Sequence, residues 1–326
     1  MNKKNEASIE VINIYNSLLS LKDKGLKTKE EANYFSSQIN KLRDLGGVPF
    51  EIFQEIRSNC KEIFYSIKTL SENEILNVSD IKITEKLNLL RFYSGIPFSK
   101  KFADELHVKP GFANTSILMN KIMFNDGVRR ERMQAEFITA SPNPWEVFNN
   151  RFGIGYEHLV TKEYVGANLK SNAKIVFLGS GPAPITLILF WKLFGVKSIG
   201  VEINSETADI SRKLINSLDL NDQITIITGD HFSKTIVEEC DHLIIASDAE
   251  PKEEIFNQLA ETLPNGKTLS YRLVEPKNDN QTTLATIVLN KEQEFFLHPS
   301  FQQYRYEPPS KNVLNTIIFI RKQEEV

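Results

Sequence analysis

Residues 173–182 read Ala-Lys-Ile-Val-Phe-Leu-Gly-Ser-Gly-Pro, a run of β-forming residues that ends in a glycine loop. A second apolar segment, residues 185–194, follows the loop directly. The one apolar run of membrane length in the chain, residues 177–196, includes the loop and this segment, but glycine and proline interrupt it. We therefore interpret the run as strand, loop and helix, and predict no membrane span.

The same alternation of strand, loop and helix continues in the sequence that follows. Ser205 is predicted to cap a helix that runs to about Leu218. Because strands that alternate with helices form parallel sheets with right-handed crossovers, we expect such a sheet. The later strands are less separated by helix and predict an antiparallel edge. The predicted strands after the first are residues 197–201, 223–228, 242–246, 269–274, 283–288 and 316–320.

The first 140 residues have the apolar spacing of helices. Capping-box patterns begin at Thr28 and Ser71. Pro144 suits the first turn of a further helix that carries Phe148, Phe152, Tyr156 and Leu159. The sequence thus predicts a helical bundle domain over residues 1–160 and a sheet domain over residues 161–326.

The charge distribution argues against a nucleic-acid partner. Residues 1–150 carry 21 basic and 19 acidic side chains, and residues 151–326 carry 18 and 23. Binding to a phosphate backbone needs a basic excess, which neither part has. The two cysteines, Cys60 and Cys240, form no metal-ligand motif, so no metal site is predicted. With no signal peptide visible in the sequence, a cytoplasmic location is expected.

Three features of the predicted sheet point to one cofactor. The glycine loop Gly179-Ser180-Gly181 lacks the third glycine of a dinucleotide fingerprint. Glu202 ends the second strand, where a carboxylate can accept hydrogen bonds from ribose hydroxyls. Asp230 follows the third strand, where it can accept from an adenine amino group. The combination predicts S-adenosylmethionine. The fold class is accordingly α/β: a class I S-adenosylmethionine-dependent methyltransferase-like Rossmann domain preceded by the helical bundle.

The sequence around these features resembles the nicotianamine synthases. Residues 177–186 are similar to the family's glycine loop, G-x-G-P-L-P-L-T, with Ala183 in place of the usual leucine. The resemblance covers roughly residues 115–325. Its further segments are 124–131, 143–146, 201–203, 209–213, 228–230, 249–252, 271–272 and 312–319.

The resemblance implies transfer of the 3-amino-3-carboxypropyl group of S-adenosylmethionine to an amine, with release of methylthioadenosine. An attacking amine must lose a proton, so the site needs a base. By similarity, Glu131 is the base and Tyr156 orients the amine. Ile203 and Ser247 join the predicted cofactor-binding residues.

The amino-acid part of the cofactor and an amino-acid acceptor both carry carboxylates. Arg272, after the fifth strand, and Arg130 are candidates to bind one of them, since arginine pairs bidentately with carboxylate. Asp248 follows the fourth strand on the usual substrate side of such a sheet. These three residues are the predicted substrate-binding set.

The residues leave other functions open. The cofactor's own amine could attack its γ-carbon and give azetidine-2-carboxylate, without a separate acceptor. An ordinary methyltransferase and a non-catalytic binding protein are further alternatives. The acceptor, the number of groups transferred and the oligomeric state, for which a homodimer is one option, do not follow from the sequence.

Overall fold

The computed structural model of the chain describes residues 3–24, 29–107, 109–152, 154–229, 240–274, 281–289, 297–310, 313 and 315–323. The helices are α1 (Lys3–Lys24), α2 (Lys29–Asp44), α3 (Phe50–Ile67), α4 (Glu72–Leu76), α5 (Ile81–Ser94), α6 (Lys100–His107), α7 (Phe112–Thr139), α8 (Pro144–Arg151), α9 (Ile154–Gly166), α10 (Ile185–Phe194), α11 (Ser205–Ser217), α12 (Lys252–Thr262) and α13 (Leu284–Leu289). The strands are β1 (Phe98–Ser99), β2 (Lys174–Leu178), β3 (Lys197–Glu202), β4 (Ile224–Thr228), β5 (His242–Ile245), β6 (Thr268–Val274), β7 (Gln281–Thr282), β8 (Phe301–Glu307) and β9 (Asn315–Lys322).

The chain forms two compact units. The first comprises Met1–Gly127 and Pro276–Glu292, and the second comprises Val128–Glu275 and Gln293–Val326. The sequence placed a single boundary at residue 160, whereas this division falls inside α7 and returns a later segment to the first unit. Residues 128–160, which carry Glu131 and Tyr156, thus belong to the same compact unit as the sheet.

The first unit is a helical bundle with one apolar core. Leu18, Leu42 and Ile56 are fully buried there, one from each of the first three helices. The predicted capping box at Ser71 is present, because its side chain accepts from the Glu74 amide while Glu74 accepts from the Ser71 amide. The capping box predicted at Thr28 includes residues outside the described part of the chain.

The segment 283–288 was predicted as a strand, and this is wrong. Only residues 281–282 are extended, as β7, which pairs antiparallel with β1. Leu284, Ile287 and Val288 then lie on one buried face of α13 and join the core of the helical unit. A short run of β-branched and apolar residues is ambiguous between strand and buried helix, and here tertiary packing decides for helix.

The second unit is built on a seven-stranded sheet of order β4-β3-β2-β5-β6-β9-β8. The first five strands in this order pair parallel, and β9 pairs antiparallel with both β6 and β8. The expected parallel sheet with an antiparallel edge is therefore confirmed. Parallel neighbours align their carboxyl ends at one edge, where ligands bind in open α/β sheets.

Two helix boundaries differ from those expected. The helix that starts at Pro144 ends at Arg151, and α9 starts anew at Ile154, so Tyr156 lies in the first turn of a separate helix. The N-cap of α11 is Asn204, whose side chain accepts from the Thr207 amide, rather than Ser205. Within the described residues, no helix has the length and apolar character needed to cross a membrane.

Candidate active site

The glycine loop after β2 needs glycine at two positions. Gly179 and Gly181 have φ angles of +77° and +68°, a left-handed conformation that residues with a Cβ adopt only at a cost. The amides of Gly179 and Ser180 both donate to the Val201 carbonyl, at 3.0 and 3.1 Å, which anchors the loop to β3. The predicted strand–loop–helix turn is thus present.

Glycine is also required beneath this loop, at Gly200 on β3. A Cβ at that position would lie 2.8 Å from Ile226 Cδ1, and 2.9 Å from both Leu187 Cδ1 and Ser180 Cβ. The Ser180 side chain therefore faces down into the protein against the strand. It is 4% exposed, and its Oγ makes no hydrogen bond within the described part of the chain.

The carboxylate of Glu202 binds the loop from the end of β3. Its Oε2 accepts from the Gly181 amide at 3.0 Å, and its Oε1 accepts from the Asn204 amide at 2.9 Å. The next residue, Ile203, is 71% exposed. An acceptor and an apolar surface are adjacent there, as a nucleoside with ribose hydroxyls and a flat base requires. Asp230, the third predicted cofactor residue, lies outside the described residues.

The loop after β5 packs on the glycine loop. A Cβ at Gly179 would lie 3.2 Å from Ala249 Cβ and 3.4 Å from Ala246 Cβ, so the two loops are in close contact. The buried ammonium of Lys252 fixes the β5 loop by donating to the Ser247 carbonyl at 2.6 Å, the Ala249 carbonyl at 3.1 Å and Glu250 Oε1 at 2.6 Å. The Lys252 ammonium thereby fixes the conformation of the loop that carries the predicted residues Ser247 and Asp248.

Glu131 projects from α7 towards the glycine loop. Its Oε2 lies 3.0 Å from the position that a Cβ on Gly181 would take. Gly181 therefore has one carboxylate, Glu202, on its amide and a second, Glu131, at its α-carbon. The neighbouring Arg130 has an exposed side chain on the same helix.

Three of the other predicted residues influence the pKa of Tyr156. Burial of its hydroxyl raises the pKa to about 12, with a further upward contribution from Glu131. Arg272 acts to lower this pKa, and Asp248 to raise it. The ring packs edge-on against Phe152 at a centroid distance of 5.9 Å, and 39% of the residue remains exposed. Tyr156 is therefore a protonated phenol at neutral pH within the electrostatic reach of Glu131, Asp248 and Arg272.

Arg272 is buried and has protein partners. Its Nε donates to Glu163 Oε1 at 3.3 Å, its Nη2 donates to Glu163 Oε2, and its Nη1 donates to Thr186 Oγ1 at 3.0 Å. The guanidinium also lies 5.1 Å from the centroid of the Phe177 ring. Three of its five N–H groups are thus held by the protein, and its role towards a substrate carboxylate stays a prediction.

Sequence reasoning missed Glu163 and gave Lys252 no role. Glu163 is fully buried, although it is a carboxylic acid. A carboxylate seven residues after Tyr156 returns to the same helix face, and that spacing was the available signal. The partner of Glu163 lies more than a hundred residues away, so only the fold shows the pair.

Comparison with known proteins agrees with this architecture. The family model described as "Nicotianamine synthase protein" matches residues 61–326. A crystal structure of a mutant of MtNAS superposes with a TM-score of 0.64 at 23% identity, covering 85% of this chain and all of that one. MtNAS in complex with MTA and tNA gives 0.62 at 23% identity over 84% of this chain and 98% of that chain. MtNAS mutant protein with S-adenosylmethionine gives 0.60 at 23% identity, over 85% and 100%.

No curated protein matches the chain by sequence. At this identity the structural likeness shows a shared fold and no more. The family model spans most of the chain, including α7, the glycine loop and every strand of the seven-stranded sheet. On that match the chain belongs to the nicotianamine synthase family.

Proposed function

We propose that this protein transfers the 3-amino-3-carboxypropyl group of S-adenosylmethionine to the amine of a small amino-acid acceptor and releases methylthioadenosine. The observation that carries the proposal is the position of Glu131, a carboxylate beside Gly181 of the glycine loop. An amine that forms a new N–C bond must lose a proton, so a carboxylate at this place can serve as the proton acceptor. Because N-methylation would release a proton as well, the choice of the aminocarboxypropyl group is supported by the match to the nicotianamine synthase family.

The residues around the loop fit S-adenosylmethionine. Glu202 offers a half-buried carboxylate at the end of β3, and Ile203 offers an exposed apolar side chain next to it. Since the sulfonium is a cation and carries no phosphate, carboxylates at Glu131 and Glu202 suit it better than they would suit a dinucleotide. S-adenosylmethionine would supply the electrophilic γ-carbon and the leaving group.

Glu131 and Tyr156 would divide the work at the amine. Glu131 accepts the proton that the amine loses as its nitrogen bonds to the γ-carbon and the carbon–sulfur bond breaks towards sulfur. Tyr156 remains a phenol, because its pKa is raised to about 12. It therefore orients the amine by hydrogen bonding and does not compete for the proton. Positioning of this kind can supply a large part of a rate enhancement.

The test is incubation with S-adenosylmethionine, first alone and then with candidate amino acids, followed by mass spectrometry. We expect methylthioadenosine together with an acceptor enlarged by the aminocarboxypropyl group. Glu131→Gln should remove this product, and the exposed Glu136→Gln on the same helix should not. Release of S-adenosylhomocysteine would overturn the proposal in favour of methyl transfer. Methylthioadenosine with azetidine-2-carboxylate, formed without acceptor, would show cyclisation instead.

A further inference from the structure

We propose that Glu163 is a positioning residue of the transfer site, which holds Arg272 at the face of α9 that carries Tyr156. The inference rests on the transfer function proposed above. The inference starts from the geometry of this pair. The fully buried carboxylate of Glu163 accepts two hydrogen bonds from the Arg272 guanidinium, one from Nε and one from Nη2. Bidentate arginine–carboxylate pairs fix orientation as well as charge.

A chain of hydrogen bonds leads from Thr268 through His242 and Ser270 to Glu163, and each member donates to the next. Ser270 Oγ donates its only hydrogen to Glu163 Oε1 at 3.1 Å, so at the 3.1 Å contact with His242 Nε2 the serine oxygen must accept. His242 is buried and its pKa is lowered to about 3, so the ring is neutral and carries its proton on Nε2. Its Nδ1 then accepts from Thr268 Oγ1 at 3.0 Å. The donor and acceptor roles of Thr268, His242 and Ser270 follow from this order.

This chain of hydrogen bonds runs along one face of the sheet and ends at the arginine. Thr268, Ser270 and Arg272 alternate along one face of β6, His242 belongs to the adjacent strand β5, and Glu163 comes from α9. Each donor stabilises the negative charge of Glu163, which in turn balances the guanidinium. Buried polar chains that are fully satisfied have a single arrangement, because leaving any member unpaired costs about 1–3 kcal/mol.

Helix α9 connects the Glu163–Arg272 pair with Tyr156. Residues seven apart lie two turns apart on the same helix face, so Glu163 and Tyr156 share a face of α9. The third acceptor of Arg272, Thr186, lies in the first turn of α10 directly after the glycine loop. Arg272 therefore ties the helix that presents Tyr156 to the end of the cofactor loop, and its charge opposes those of Glu131 and Asp248 at the phenol. Glu163 acts through Arg272 and touches no reacting atom.

The kinetic test is a double-mutant cycle of Glu163→Gln with Tyr156→Phe. Glutamine keeps the shape and removes the charge. We expect Glu163→Gln to lower kcat on the order of 10²-fold, as small misplacements of catalytic groups do, while KM for S-adenosylmethionine stays within about threefold. In the Tyr156→Phe background, Glu163→Gln should cause little additional loss. Additive losses, or a loss that appears in KM alone, would overturn the inference. Glu157→Gln, on the same helix but outside this chain of contacts, is the matched control and should leave both constants unchanged.

A second measurement does not depend on turnover. Tyrosines are replaced by 3-fluorotyrosine, and the ¹⁹F resonance that disappears in Tyr156→Phe is assigned to Tyr156. Glu163→Gln should move this resonance and lower its titration midpoint, because an unbalanced Arg272 stabilises the phenolate. An unchanged resonance would contradict the inference. Wild-type protein that forms no methylthioadenosine would defeat the proposed function, while the ¹⁹F result would still decide the role of Glu163. If Glu163→Gln fails to fold, Ser270→Ala, which removes one donor to Glu163, should shift the resonance in the same direction by a smaller amount.

Discussion

Glu131 lies directly against Gly181: the carboxylate oxygen Oε2 is 3.0 Å from the point where a Cβ on that glycine would sit. Any side chain at Gly181 would therefore push on the proposed base. The same glycine donates its amide to Glu202, so a single backbone position connects the proposed base with the carboxylate assigned to the cofactor.

Gly181→Ala should therefore abolish transfer and weaken S-adenosylmethionine binding at least tenfold. Two effects combine: a φ of +68° costs about 1–2 kcal/mol with a Cβ, and the new methyl group meets Glu131. Binding is measured by isothermal titration calorimetry and turnover by methylthioadenosine release. Gly195→Ala is the matched control, since Gly195 has a φ of +67° but only a 3.7 Å neighbour at its Cβ. It should lose similar stability and keep its binding; equal binding losses would contradict the prediction.

Gly200→Ala should destabilise the fold. The new methyl group would stand 2.8–2.9 Å from Ile226, Leu187 and Ser180, and overpacking of this kind typically costs about 1–3 kcal/mol. By contrast Gly127→Ala, inside α7 with its nearest neighbour at 3.9 Å, should stabilise by about 0.5–1 kcal/mol through helix propensity. Denaturant unfolding gives both free energies. The same sign for both substitutions would refute this account.

Much of the sheet unit could be predicted because its signals are local. A β-rich run that ends at Gly179, an acid at the end of β3 and alternation with apolar helices each lie within a few residues, and together they determine the order of elements. The segment 283–288 could not be assigned in this way, because its four apolar residues and two threonines fit either strand or helix until the core of the helical unit selects one.

The residues of the candidate site likewise differ in whether nearby sequence could predict them. Gly179, Gly181 and Glu202 belong to one strand–loop–helix–strand motif, so their spacing in sequence was informative. Glu163 and Arg272 are 109 positions apart. The sequence placed Arg272 after the fifth strand, whereas it lies within β6 and pairs with Ile317 there. An arginine near a strand end suits either a salt bridge or a substrate carboxylate, and only the pairing of α9 with β6 supplies the buried partner.

Lys252→Met should disturb the loop after β5. The buried ammonium supplies donors to two carbonyls and to Glu250, and methionine keeps the length but leaves these acceptors without a donor. Each buried group that loses its partner costs about 1–3 kcal/mol, so a loss of at least 2 kcal/mol of unfolding free energy is expected, together with weaker binding at the adjacent glycine loop. Chemical denaturation measures the first effect and calorimetric titration the second. The exposed Lys192→Met, which breaks one bond to Asn149, should change stability by less than about 0.5 kcal/mol.

His242 should make folding stability depend on pH on the acid side of neutrality. Burial lowers its pKa from 6.5 to about 3, so the unfolded chain binds a proton that the folded protein does not. The stabilisation is complete above pH 6.5 and is lost as the pH falls from there towards 3, with a slope of up to ~1.4 kcal/mol per pH unit. Denaturation curves between pH 5 and 7 measure this slope.

His242→Gln removes the titrating group while retaining an amide that can bond to Ser270. The slope of its unfolding free energy against pH should therefore be smaller, at the acid end of this range, by an amount that corresponds to nearly one bound proton. His158→Gln, at an exposed imidazole, is the control for loss of a histidine. A wild-type slope that His242→Gln leaves unchanged would mean that His242 does not enter the unfolding equilibrium as a neutral buried ring.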